Sequence, residues 1–371
     1  MQYPKLNWYY SIDLVTDTTN KQYRDLPGFA NYKDIHKFFA ANLSLTDRYQ
    51  TTQLPIQTNI LDVCKPPAFV KQTLEYDEIC LFRAKQLMNH AINTNRKLFI
   101  MYSGGIDSSA IICSFLLACT PDEIKNNIVV GLSESSIKEN PILYKKFIVG
   151  KFERVSSNVF SYYLGHPDYI TINGEGNDQL FGSDLIQSLT LRFGEGILHT
   201  PRTDAIIYDC FNNGSISAKT CDKFIEVFNK ATSRAPVGID TVFHYFWWIN
   251  FQYKWQNVYM RMLSFAKAEN VSAIKPNDNY FSFFQTDEFQ LWTLNNTNSL
   301  IKDTWKSYKY VCKDFIYSVT NDANYRDRKS KFGSLSQVTM YKPVFHTIDE
   351  NFVPSNTPVD TAYWNMQNDF I

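Results

Sequence analysis

The sequence predicts an α/β fold: a parallel sheet with helices on both faces, preceded by a small N-terminal unit and followed by a mostly helical C-terminal part. Three observations predict it. Short apolar runs that suit buried strands alternate with helical stretches between residues 73 and 195. The scarce glycines, 14 in 371 residues, cluster where two of those strands would end. Beyond residue 195 strand-like runs thin out, and longer helical stretches replace them.

Taken in order, residues 1–72 are of mixed composition and form a small unit of unassigned type. Cys80, Ala84, Leu87, Met88 and Ala91 then share one face of a helix. Residues 97–102 are a short apolar run that suits a buried strand, and a glycine turn follows. Residues 108–119 read as a helix, almost wholly apolar after its first turn, which Thr120-Pro121 stops. Residues 128–132 and 168–172 are the second and third buried strands, and residues 177–189 resume helical periodicity. In the third part, residues 196–371, the expected helices are 218–230, 242–267 and 301–317. Trp247, Trp248 and Tyr253 are assigned there to core packing.

Composition narrows the function classes. Apolar residues are 44% and charged residues 20% of the chain, the balance of an ordinary folded protein. Lys plus Arg equals Asp plus Glu at 37 each, so no global field favours nucleic acid or an anionic membrane. No apolar run is long enough to span a bilayer, and the start lacks the features of a secretory signal. The seven cysteines form no C-x-x-C pair, and the six histidines show no zinc-site spacing. Free thiols in a reducing cytoplasm are the expected state.

The chemistry concentrates in two loops. Ser103-Gly104-Gly105-Ile106-Asp107-Ser108-Ser109 links a strand to a helix. Its glycines let the backbone approach a ligand closely, while helix-start amides, the helix dipole and the hydroxyls of Ser103, Ser108 and Ser109 suit phosphate oxygens. Asp107 would repel phosphate unless it holds Mg²⁺ that bridges to it. No Walker A pattern occurs, and Gly174-Glu175-Gly176 lacks the third glycine of a dinucleotide fingerprint.

The first loop resembles the S-G-G-x-D-S loop of the PP-loop ATP pyrophosphatases, whose fold is the adenine nucleotide α hydrolase-like sheet. The second, Asn173-Gly174-Glu175-Gly176-Asn177-Asp178-Gln179-Leu180-Phe181-Gly182, is similar to the G-E-G-x-D-E-x-F-G-G motif of class B asparagine synthetases and β-lactam synthetases. Arg328-Lys329-Ser330-Lys331-Phe332-Gly333 is similar to that family's R-K-K-x-G-F stretch. The resemblance covers roughly residues 75–345.

The resemblance implies an AMP-forming carbon–nitrogen ligase. ATP would be cleaved to AMP and pyrophosphate, adenylating a small-molecule carboxylate that an amine or ammonia then converts to an amide. It implies Asp107 and Asp178 as magnesium ligands, and Glu175 as an acid/base or orienting group at the reaction centre. Lys329 would neutralise the leaving pyrophosphate, with Lys331 in reserve. Ser103, Gly104, Gly105, Asp107, Ser108, Ser109, Gly174 and Gly176 would cradle the phosphates. Gly131 and Leu132, at the end of the second strand, would meet the adenine through main-chain contacts. Met262 to Ala266 and Lys275 to Asp278 are matched to the family's helical signatures.

Three departures modify that expectation. Gln2 stands where the family's glutaminase domain has its nucleophilic cysteine, and the preceding unit is short, so glutamine nitrogen would require a separate glutaminase. Gln179 replaces the usual glutamate after the loop aspartate. Ser183 and Asp184 replace a glycine and a tyrosine, which reshapes the pocket wall and leaves the identity of the carboxylate open. Two other readings stay open: a PP-loop enzyme that adenylates a nucleobase or tRNA, and a degenerate ATP-binding protein. The lack of paired cysteines and of basic bias argues against the first, and intact Ser103, Asp107, Glu175 and Asp178 against the second.

Overall fold

In the computed structural model, the described residues are 5–6, 8–9, 47–49, 59–60, 65–182, 184–214, 216–255, 258–259, 273–329, 347–348 and 354–355. The central feature is a five-stranded, wholly parallel sheet. Its strands are β1 (Lys97–Met101), β2 (Ile128–Leu132), β3 (Glu153–Ser156), β4 (Tyr169–Asn173) and β5 (Tyr280–Ser282). Their spatial order is β3-β2-β1-β4-β5. Leu98 pairs in register with Ile128 on one side and Ile170 on the other. The chain thus winds outward from β1 to β3, then returns to place β4 on the other flank of β1. That reversal leaves a crevice at the carboxyl ends of β1 and β4, where ligands of open α/β sheets bind.

Two strands escape the periodicity argument. β3 reads Glu-Arg-Val-Ser and is a mostly exposed edge, so no apolar run marks it. β5 is three residues long and arrives from the segment assigned to the helical C-terminal part, so the sheet extends past the expected boundary at residue 195.

Helix coverage of the two faces is unequal. Leu98, Ile100, Ile128, Val130, Ile170 and Ile172 face the main core under α1 (Tyr76–Asn93) and α2 (Ile106–Ala118). On the opposite face Phe99 stacks on Tyr163 at 4.0 Å, and Phe160 lies beside it. Both belong to a one-turn helix, Phe160–Tyr163. α1 starts with a Glu75/Glu78 capping box and buries Ile79, Cys80, Ala84, Leu87, Met88 and Ala91 at three- and four-residue spacing. α2 is buried from Ser108 through Phe115, because it packs against both α1 and α3 (Tyr310–Thr320).

The expected helix over 177–189 is two pieces, Asn177–Phe181 and Asp184–Phe193. Gly182 breaks it with φ +115°, a conformation hostile to L side chains. The expected helix over 301–317 begins only at Tyr310, since Lys309 takes a left-handed φ of +56°. Helices at Ala218–Thr232 and Val242–Tyr253 match two expectations, with residues 256–257 and 260–267 of the longer span outside the described residues.

All twelve residues of Val242–Tyr253 are buried. Its indoles are core residues that also secure backbone: Trp247 Nε1 donates to the Leu180 carbonyl at 3.0 Å and Trp248 Nε1 to Ala231 at 2.9 Å. Asn250 Nδ2 donates to Gly182 at 2.8 Å. This helix therefore underpins the second glycine loop. Arg48, in the N-terminal part, lies over Phe251 and Trp255, and Trp8–Tyr9 pairs with Thr347–Ile348. Among the described residues, no helix is long and apolar enough to cross a membrane.

Candidate functional site

Both glycine loops leave the sheet at its carboxyl edge, from neighbouring strands. Gly104 has φ +76°, and a Cβ there would collide with the Ser136 carbonyl, so only glycine fits this turn. The hydroxyls fold the loop on itself. Ser103 Oγ accepts from Gly105 N at 3.2 Å, and Ser108 Oγ accepts from Ser103 N at 3.1 Å. Ser109 is fully buried and is held by Asn140 Nδ2 at 3.1 Å and by Tyr325 OH at 3.3 Å. It braces the loop from behind, whereas Ser103 is half-buried on the crevice side of the strand end. No side chain caps the start of α2, leaving its first amides to other acceptors.

The second loop is tied down by Asn173. Its Oδ1 accepts from Glu175 N at 2.9 Å and from Ser282 Oγ at 2.8 Å, while its Nδ2 donates to Tyr280 OH at 3.0 Å. Glu175 is half-buried at the loop tip. Gly176 takes φ +94°. A Cβ on Gly174 would come within 3.0 Å of Asp107 Cβ, so the absence of a side chain there lets the two loops touch.

Where they touch, three charges meet. Lys309 Nζ lies 2.5 Å from Asp107 Oδ1 and 2.6 Å from Asp178 Oδ1. Asn177 Nδ2 adds a bond to Asp107 Oδ1 at 2.6 Å, and Tyr308 OH donates to Asp178 Oδ1 at 2.7 Å. Lys309 is buried, Asp107 partly so, and Asp178 is 54% exposed. Burial pushes the Asp107 carboxyl above its ordinary range, with Lys309 opposing it and Asp178 reinforcing it. Burial alone would lower the Lys309 pKa, but the two carboxylates outweigh it and carry it above the ordinary lysine value. The lysine is therefore an ammonium at neutral pH.

Lys309 is absent from the sequence-based site. It is a single lysine ahead of an ordinary amphipathic helix, with no motif around it. The positive φ that turns it into the crevice cannot be read from composition.

Lys329 does come to the first loop. Its Nζ lies 2.9 Å from Glu139 Oε1, with side-chain exposures of 11% and 3%. Glu139 in turn abuts the glycine turn: Oε1 is 3.6 Å from where a Cβ on Gly105 would sit. Lys331, Met262 and Ala266 lie outside the described residues. Gly131 is explained by packing, since a Cβ there would strike the Phe99 ring at 2.5 Å. Its carbonyl accepts from Tyr102 N at 2.9 Å, which joins β2 to the start of the first loop. Leu132 lines a cleft of about 350 Å³ with Ser133, Tyr144, Arg154, Val155 and Asn158. That volume, at the carboxyl ends of β2 and β3, falls within the range of small-molecule sites.

The donor set suits a hard divalent cation. Magnesium takes oxygen ligands, commonly one or two carboxylates completed by substrate phosphates and water. Asp107 and Asp178 already converge on one cation, the Lys309 ammonium. Among the described residues no three His, Cys, Asp or Glu side chains group as a metal cluster, so a cation held here would need further oxygen ligands from a bound molecule or water.

In comparisons with known proteins, no family model matches the chain, and none of the curated proteins matches it either.

Proposed function

We propose that the chain binds ATP across the crevice between β1 and β4 and cleaves it to AMP and pyrophosphate, activating a carboxylate for amide formation. The observation that supports this most directly is the meeting of Asp107, Asp178 and Lys309 where the two glycine loops touch, beside the uncapped start of α2. An anion-binding helix end next to paired carboxylates and a buried ammonium suits a magnesium-bound polyphosphate.

In this reading the nucleoside occupies the cleft along Leu132 and Val155, and the phosphates lie on Ser103 to Ser108. Asp107 and Asp178 would hold magnesium, which screens the polyphosphate charge and assists the leaving pyrophosphate. A substrate carboxylate oxygen attacks the α-phosphorus, and the bond from that phosphorus to the bridging oxygen breaks. Displaced from between the two carboxylates, the Lys309 ammonium would join Lys329 in stabilising the charge that develops on pyrophosphate. Ammonia or an amine then attacks the acyl carbon, AMP leaves, and Glu175 takes the amine proton. The amine donor and the carboxylate are left to experiment, with glutamine serving only if a separate glutaminase supplies ammonia.

The test is pyrophosphate release from ATP, screened across carboxylates with ammonia or amines and, in a parallel arm, across nucleic acids. Asp107→Asn and Asp178→Asn are expected to abolish release while keeping the native circular dichroism spectrum. Near-normal turnover in both variants would overturn the cation assignment, and release dependent on nucleic acid alone would replace the carboxylate reading.

A further inference from the structure

Behind the carboxylate pair lies a buried chain of polar groups that phosphate chemistry does not itself require. Cys312 Sγ donates to Tyr76 OH at 3.1 Å, and Tyr76 OH donates to Asn177 Oδ1 at 3.1 Å. Asn177 Nδ2 then donates to Asp107 Oδ1 at 2.6 Å, with a second, longer bond of 3.5 Å to Cys312 Sγ. Tyr76, Asn177 and Cys312 are each at most 1% exposed. The chain crosses from α1 through the second loop to the first. Cys312 stands three residues after Lys309, so α3 carries the far end of the chain and its N-cap residue the cation.

We infer that Tyr76 and Asn177 are positioning residues for Asp107, fixing the orientation of its carboxylate through the Asn177 amide. The inference rests on the ATP-cleaving role proposed above.

An ionised carboxylate only accepts, so Asn177 must present its NH₂ group to Asp107. That choice turns the Asn177 carbonyl oxygen toward Tyr76, where it must meet a donor in a site closed to water. The tyrosine hydroxyl is that donor, and the Cys312 thiol supplies the proton its oxygen can accept. Each bond fixes the direction of the next. Replace the hydroxyl by hydrogen and the amide oxygen is left unmet. Flipping the amide would then expose its oxygen to Asp107 Oδ1, oxygen against oxygen. The Asp107 carboxylate would lose one of the two donors that hold Oδ1, the other being Lys309.

Packing isolates the effect. The Tyr76 ring sits edge-on to Phe181 and Trp292, with centroids at 5.5 and 5.2 Å. Phenylalanine keeps those contacts, so Tyr76→Phe removes the hydroxyl and little else.

The experiment uses the full chain as wild type, Tyr76→Phe, Asn177→Ala and the double variant. Tyr76→Phe is expected to lower kcat for pyrophosphate release about tenfold, with KM for ATP within about twofold, because misorientation degrades chemistry more than binding. Asn177→Ala is expected to lose about a hundredfold. The double variant should be no worse than Asn177→Ala alone, since Tyr76 acts only through Asn177. A second readout needs no turnover: amide hydrogen exchange in residues 103–109, without nucleotide, should speed up in Tyr76→Phe. Unchanged exchange there, or losses that multiply in the double variant, would overturn the inference. A wild-type chain that releases no pyrophosphate with any substrate would sink the proposed function instead, and the exchange comparison would still decide the positioning role.

Discussion

Lys309→Met removes the ammonium from between two carboxylates while keeping much of the side chain's apolar stem. Removing one partner of a buried ion pair costs roughly 3–5 kcal/mol, because the other charge stays behind. The pair with Asp107 is the buried one, with side-chain exposures of 3% and 27%. The pair with Asp178 is screened by solvent, as that carboxylate is 54% exposed, and adds at most about 1 kcal/mol. Asp107 recovers part of the loss by taking a proton, which burial already favours. A net loss of about 2–4 kcal/mol remains, and at roughly 1.3 °C per kcal/mol for a chain of 371 residues, Tm should fall by about 3–5 °C. The same substitution leaves two carboxylates facing one cation position, so magnesium should stabilise the variant more than the wild type. At a tenfold excess over Kd that gain is about 1.4 kcal/mol. Thermal unfolding of both proteins, with and without magnesium chloride, measures all of this. If Tm is unchanged by Lys309→Met, or if magnesium raises both proteins equally, Lys309 does not occupy the cation position.

Three further predictions follow from local geometry. Gly104→Ala forces a Cβ into the Ser136 carbonyl at φ +76°, where the left-handed penalty alone is about 1–2 kcal/mol, so thermal unfolding should show a loss of at least about 1–3 °C. Lys329→Ala should lower kcat for pyrophosphate release by about 10²–10³ while ATP binding by calorimetry changes little, and Lys331→Ala should be much milder. If Lys331→Ala is the inactive variant instead, the cation assigned to Lys329 belongs two residues downstream. Burial pushes the Cys312 thiol up to about 12 and the half-buried Cys119 thiol up to about 11, and Cys113 is raised further still. Thiolate is the reactive form, so labelling at pH 8 should modify Cys119 before Cys113 and Cys312, and the Cys119 rate should climb as pH approaches 11. Mass spectrometry of labelled peptides gives the order, and early modification of Cys312 would contradict its burial.

How much of this was legible in the sequence depends on how local each signal is. β1 and β2 were readable as nearly continuous apolar runs, and β4 from Ile170 and Ile172 in a short stretch that ends at a glycine loop. β3 and β5 were not, one being a polar edge and the other three residues completed by neighbours distant in sequence. The same division runs through the site. Gly104 and Gly176 announce themselves because positive φ selects glycine, and Asp107 and Asp178 because each falls in the first helical turn after a glycine loop. Lys309 carries no such mark. Its value lies in a backbone twist and in two partners 202 and 131 residues away, and only assembly of the fold creates it.

Asn177 and Tyr76 illustrate the point most sharply. In the sequence Asn177 is the unassigned residue between Gly176 and Asp178, and Tyr76 is one aromatic of an amphipathic face. Folding gives each a partner whose donor or acceptor character leaves no freedom. A carboxylate that must stay ionised beside a second carboxylate needs donors on every approach the solvent does not reach. Lys309 supplies one as a charge and Asn177 another as a dipole, and the dipole holds its direction only while Tyr76 meets its oxygen. Lys309 and Asn177 thereby oppose the burial that raises the Asp107 carboxyl and keep its oxygen directed at the cation position, as any metal-bearing role for that carboxylate requires.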